Sequence, residues 1–266
     1  MTLIVGWLAC DQRGPCSAYM ASDGRISNRR QHYDNSQKIF ALKNTPDILG
    51  FCGEVIFPSQ FLNRLTGICD SGMLLRPEMD YEERSRLIFR EIKQAYLKYQ
   101  LNDIDIKIFH IGRNQEKLFD ANVYAYDGSE WSSREISTNY QKSMLLFSDG
   151  SGKKEFDGNF LNFKNGNNED TSRNYFHCFC DVIKKTKDQS VGGVPQLVGL
   201  YNGKNNGMYH GIIMDGKAYY QGLEMGEDYD LSEVRWYNEN FEICDCNTLQ
   251  RQEGAAVQPV SQRATL

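Results

Sequence analysis

The chain has 266 residues, a net charge of −5, and 40% hydrophobic against 24% charged residues, enough to bury one good-sized core. That acidity leaves no electrostatic case for nucleic acid or an anionic membrane as main partner, and the short pairs Arg29-Arg30 and Lys184-Lys185 do not change it. No apolar run reaches transmembrane length, and Asp11 and Arg13 interrupt the opening apolar stretch, so neither a membrane span nor a signal peptide is expected and the cytoplasm is the expected location.

The chain opens Met1-Thr2-Leu3-Ile4-Val5-Gly6. Removal of Met1 would leave a threonine carrying both a hydroxyl and a free α-amine, a nucleophile and its own general base on one residue. An α-amine titrates at about pH 8, well below a lysine, which suits it to that task. Met-Thr is also an ordinary way for a chain to begin. Residues 3–7 read as a strand, 11–15 as a turn and 17–22 as a returning strand that ends in Ser22-Asp23-Gly24. A polar stretch with Asn28, Arg29, Arg30 and Gln31 leads to the apolar residues 38–42. The run Gly50-Phe51-Cys52-Gly53 then precedes a helix over 59–69, with Phe61, Leu62, Leu65, Ile68 and Cys69 at helical spacing.

A second helix starts at Asp80, an N-cap candidate with Glu82 and Glu83 in its first turn. Leu87, Ile88, Ile92, Ala95, Tyr96 and Tyr99 form its buried face, and Arg84, Arg86, Arg90, Lys93 and Lys98 are expected to face water. Strands are expected over 104–111, 118–126, 134–137 and 143–147, with Asp127-Gly128 as a hairpin turn. After Gly150-Ser151-Gly152 an Asn- and Gly-rich tract, 159–170, reads as an insertion. A third helix over 171–187 buries Tyr175, Phe176, Phe179, Val182 and Ile183. Strands over 194–201 and 207–215 follow, joined by the turn 202–206. The pattern is α+β, with no internal repeat. Residues 1–220 are read as the principal domain, 221–250 as an aromatic-rich extension packed on it, and 251–266 as a disordered tail.

Eight cysteines with no secretion signal are expected to be reduced thiols. Cys178-x-Cys180 and Cys244-x-Cys246 are spaced too closely for the usual zinc ligand pairs. His32, His110, His177 and His210 sit in no metal motif, so neither metal nor cofactor is expected. Cys52 reads as a small core residue. There is no Gly-x-x-x-x-Gly-Lys run for a nucleotide phosphate.

Taken in order, Thr2 at the head of a strand, Asp23-Gly24 closing the second, Lys38 fifteen residues later, and Gly53 before a helix resemble the catalytic subunits of the proteasome family. Gly150-Ser151-Gly152 and Asp188-Gln189-Ser190-Val191-Gly192-Gly193 resemble two further motifs of that family, although its serine before the glycine pair falls here on Val191, with Ser190 one place early. The style is nearest to the simple bacterial members, the HslV-type peptidases, with a longer first hairpin and extra segments. The resemblance implies a four-layer αββα sandwich of two antiparallel sheets flanked by helices. It implies Thr2 as nucleophile, Lys38 as its electrostatic partner, Asp23 as the group that holds Lys38, and the Gly53 N–H as oxyanion donor. Ser151 and Asp188 would complete a network around the Thr2 amine, with Ser190 as a substitute for the displaced serine. It further implies peptide or unfolded-protein substrates, a homo-oligomeric ring and a separate ATPase partner. Two other readings stay open: an amidohydrolase acting on a small amide, with residues 219–237 closing over it, and a non-catalytic scaffold subunit, supported by Met1 if retained and by Val191.

Overall fold

The computed structural model describes residues 2–28, 31–99, 105–163 and 170–255. Met1, the Arg29-Arg30 pair, residues 164–169 of the Asn/Gly-rich tract and 256–266 of the tail lie outside them. The chain runs through β1 (Ile4–Asp11), β2 (Gly14–Ser22), β3 (Ile26–Asn28), β4 (Gln31–Tyr33), β5 (Ile39–Ala41) and β6 (Asp47–Gly53). Next come α1 (Ile56–Asp70), α2 (Tyr81–Tyr96), β7 (Ile106–Arg113), β8 (Phe119–Tyr126), β9 (Trp131–Ile136) and β10 (Met144–Asp149). The last part holds α3 (Lys153–Phe163), α4 (Ser172–Lys185), β11 (Gln196–Tyr201), β12 (Met208–Met214), β13 (Lys217–Tyr220), β14 (Leu223–Glu224), β15 (Trp236–Asn238) and β16 (Ile243–Cys244).

This is a mixed α and β structure with antiparallel sheets and, among the described residues, four helices. One sheet has the order β10-β1-β2-β11-β12-β13-β14, with β15 and β16 joined to it at β12, and the other has the order β5-β6-β7-β8-β9. Two departures from a purely antiparallel pair of sheets are present. β12 and β15 run parallel, and β3 and β4 form a separate two-stranded sheet where the sequence offered only a polar stretch.

Side-chain alternation along β1 explains why its sequence is apolar almost throughout. Ile4 and Leu8 point into a cluster with Met20, Ile48, Phe109 and Ile111, between the two sheets. Leu3, Val5 and Trp7 point the other way, into a cluster with Tyr175, Phe176 and Phe179 of α4. A third cluster joins Phe51 and Ile108 to Leu62 and Leu65 of α1 and Ile88 and Ile92 of α2. Each such side chain, fully buried, contributes about 1.5–3 kcal/mol.

Several expectations are corrected. Part of the tract read as an insertion is α3, whose Phe156 is buried and stacks on Phe160. Arg84 does not face water. It lies buried beneath α2, because Asp47 Oδ2 takes its Nε at 2.7 Å and the Arg113 carbonyl takes its Nη2 at 2.8 Å. Asp80 stands at the α2 N-cap, but its side chain accepts the Gln115 N–H at 3.0 Å instead of capping the helix. The aromatic tract of 219–237 does not supply a free lid from Trp236 and Tyr237. Both are buried, Trp236 beside β12 and Tyr237 stacked on Phe241. No helix among the described residues is long and apolar enough to cross a membrane.

Candidate active site

The β1–β2 hairpin builds the first part of the site. Its register pairs Ile4 with Ser22, so Leu3 and Asp23 meet just beyond the paired ends. The Asp23 N–H donates to the Leu3 carbonyl at 3.2 Å, and the Leu3 N–H returns a bond to Asp23 Oδ1 at 3.1 Å. This reciprocal pair fixes Asp23 beside Thr2. Thr2 Oγ1 donates to Asp23 Oδ1 at 2.6 Å.

The other sheet delivers Lys38 to the same point. Lys38 precedes β5. Its N–H is held by Gln196 Oε1 at 3.2 Å, and its carbonyl accepts the Phe51 N–H of β6 at 3.2 Å. Its Nζ donates to Asp23 Oδ1 at 2.8 Å and to Thr2 Oγ1. Thr2, Asp23 and Lys38 are all buried. Burial lowers the Lys38 pKa below the usual lysine range, while the Asp23 charge and hydrogen bond oppose that shift. The second Asp23 oxygen accepts the backbone N–H groups of Gly192 at 3.1 Å and Arg25 at 3.3 Å. A carboxylate with this many donors is a fixed negative end against which an ammonium is aimed.

Gly150, Ser151 and Gly152 close the other side of Thr2. The Gly152 N–H donates to the Thr2 carbonyl at 3.2 Å. Gly150 has a φ of +95°, and a Cβ there would fall 2.1 Å from the Thr2 carbonyl oxygen, so only glycine fits. Ser151 Oγ lies 2.9 Å from Ser190 Oγ, and Ser190 Oγ donates to Asp188 Oδ1 at 2.6 Å. Burial pushes the Asp188 carboxyl up, but hydrogen bonds from Ser190 and Ser151 outweigh it and hold the group below its usual range. Val191 is turned into the core cluster with Leu3 and Trp7. That accounts for the displaced serine: the position before the glycines packs inward, and Ser190 meets Asp188 and Ser151.

Gly53 ends β6 with a φ of +97°, and a Cβ there would lie 2.1 Å from the Asp105 carbonyl oxygen. Its backbone conformation therefore requires glycine on structural grounds alone. Burial pushes the neighbouring Cys52 thiol up to about 12, which makes it a poor nucleophile.

Two residues stood out in no sequence pattern. Arg25 pairs with both oxygens of Asp34, at 2.6 and 2.9 Å, and its Nη1 donates to the carbonyls of Gln189 at 3.2 Å and Val191 at 3.4 Å. It thereby holds the 189–192 segment that supplies an N–H to Asp23. Gln196 ties Lys38 to Ser36 through its two side-chain ends. Both act through contacts distant in sequence, which no local spacing announces. Among the described residues no group of His, Cys, Asp or Glu side chains is placed to hold a metal ion.

No family model matches the chain, and no curated protein matches it. A solved structure of Anbu (ancestral beta-subunit) from Yersinia bercovieri matches with a TM-score of 0.54 at 11% identity, over 86% of this chain and 88% of that one. These findings correct the family resemblance drawn from the motifs. The chain is not shown to be a proteasome-family or HslV-type member. What it shares with Anbu, and loosely, is a proteasome-like fold.

Proposed function

We propose that the chain is a threonine-type N-terminal nucleophile hydrolase that cleaves peptide bonds. The observation that carries this reading is the Thr2 hydroxyl, bonded at once to the Asp23 carboxylate and the Lys38 ammonium. The order of the three core clusters agrees with helices outside two stacked sheets, a four-layer αββα arrangement.

The chemistry requires that nothing precede Thr2. Its free α-amine then takes the Oγ1 proton as Oγ1 attacks the scissile carbonyl carbon. The carbonyl π electrons move to oxygen, and the Gly53 N–H is the proposed donor to that oxyanion. Lys38 stabilises the negative charge developing on Oγ1, and Asp23 keeps Lys38 in place. Collapse of the intermediate breaks the C–N bond, and the protonated amine passes its proton to the leaving amine. Water, deprotonated by the same amine, then cleaves the ester and restores Thr2. Ser151, Ser190 and Asp188 hold the segment against which the Thr2 backbone lies. Thr2 is buried, and the reaction requires that its hydroxyl become open to substrate. The shared fold supports assembly into a homo-oligomer; a cytoplasmic setting, access limited by that assembly and an ATPase supplied by another chain belong to the proposal.

The test is a pair of proteins. One carries a permanent N-terminal tag, and the other a cleavable tag that leaves Thr2 first. The first should be inactive on peptide substrates and the second active. Equal turnover by both would overturn the reading and favour a different nucleophile or none.

A further inference from the structure

The strands β9 and β10 are consecutive in sequence but form the free edges of different sheets, joined by residues 137–143. Between them lies a cavity of about 600 Å³. Its lining is mixed: Phe109, Val123 and Phe147 are apolar, and Ser132 and Ser148 are polar. Strand alternation turns Arg134 to the same side as the buried Ile136, and Lys107 to the same side as Phe109. Two of the cations that line the cavity are already neutralised. Lys107 Nζ lies 3.0 and 2.8 Å from the two Asp149 oxygens, and Lys153 is paired with Asp157. Arg134 lines the same cavity and makes no ion pair among the described residues. The cavity therefore offers one unneutralised, planar, two-pronged cation, the exposed Arg134, beside the apolar side chains of Phe109, Val123 and Phe147.

We propose that this cavity binds the C-terminal residue of a peptide, with an apolar side chain against Phe109, Val123 and Phe147 and the terminal carboxylate on Arg134. A guanidinium matches a carboxylate in two parallel hydrogen bonds. A peptide fits better than a simple fatty chain, because both rims are sheet edges whose backbone groups can pair with another backbone. One lining residue, Asp149, is bonded to the chain beside the candidate site. Asp149 Oδ1 accepts the Gly150 N–H at 2.7 Å, and Gly150 lies against the Thr2 carbonyl. The inference rests on the Thr2 reading only in assigning the occupant to the same substrate class.

The test uses the full chain with Thr2→Ala, so that binding is read without turnover. A fluorescein-labelled pentapeptide ending in leucine is titrated by anisotropy, once as the free acid and once as the C-terminal amide. The acid should bind about tenfold more tightly or better, the gain of one charge-assisted bond pair. Arg134→Gln should bring the acid down to the amide, and Ala125→Phe should weaken both by filling the cavity. Octanoate should not displace the peptide. Equal binding of acid and amide, a preference that survives Arg134→Gln, displacement by octanoate, or no binding would each overturn the proposal. A preference found in a protein whose Thr2 proves unreactive leaves the cavity standing and removes the catalytic reading. The converse result removes only the cavity.

Discussion

Among the described residues, two fully buried carboxylate–cation clusters are built differently. Asp47 of β6 receives Arg84 Nε on one oxygen at 2.7 Å and His110 Nε2 lies 2.8 Å from the other. His110 continues to Tyr124 at 2.9 Å and Tyr124 to Ser85 at 2.8 Å, while Arg84 also donates to two backbone carbonyls. These contacts bind β6, β7 and β8 to α2 and end on fixed partners. The Asp23–Lys38 cluster is equally buried, but it ends on a primary-chain threonine hydroxyl at the head of β1. It is assembled from chain segments that meet at the ends of strands. A buried ion pair by itself is weak evidence of stabilisation. The comparison suggests that Asp47–Arg84 works as a joint and that Asp23–Lys38 serves the group it holds.

Substitutions should separate the two. Thr2→Ala should reduce peptide hydrolysis to background while the thermal midpoint stays within a few degrees, checked by peptide turnover and calorimetry. Activity retained in Thr2→Ala would break the comparison outright. Lys38→Ala should cost at least about a hundredfold to a thousandfold in turnover. It should also destabilise by about 3–5 kcal/mol in urea, because Asp23 is left buried and charged. Lys38→Arg should recover little activity, since a wider planar guanidinium cannot take the place of a compact ammonium.

Arg84→Met should cost up to a similar ~3–5 kcal/mol by leaving buried Asp47 with His110 but without its guanidinium, yet turnover per folded molecule should be unchanged. The smallest effect concerns pH. Burial raises the Asp47 pKa, but the Arg84 charge and the His110 contacts outweigh it and hold the carboxyl below its usual range. With a depressed folded pKa, the contribution is fully present above the ordinary carboxylate pKa of about 3.9 and is lost as pH falls through the folded value. Asp47→Asn should therefore flatten the acid limb of a stability–pH curve, whereas Thr2→Ala should leave it in place.

The long, strongly patterned elements were readable from sequence. The β1–β2 hairpin, α2 and α4 declare themselves by apolar periodicity, and Thr2, Asp23 and Lys38, singled out as a set only by the family resemblance, are brought into contact by the fold. α3 was hidden because Gly158, Asn159 and Asn162 mask the Phe156, Phe160, Phe163 spacing. The strands from β13 to β16 are two to four residues long, too short for any period to show. Arg84 was misplaced because helix periodicity ranks arginine as a surface residue and cannot foresee a buried aspartate across the chain. Arg25 and Gln196 were invisible for the same reason. Their importance lies in partners that only folding brings near.

The most direct measurement is covalent labelling of the protein with Thr2 exposed, using a β-lactone or epoxyketone probe, followed by peptide mapping of the adduct. The adduct should sit on Thr2, disappear in Thr2→Ala, form much more slowly in Lys38→Ala, and form at the normal rate in Arg84→Met. An adduct on Ser151, Ser190 or Cys52, or labelling that persists in Thr2→Ala, would contradict the account.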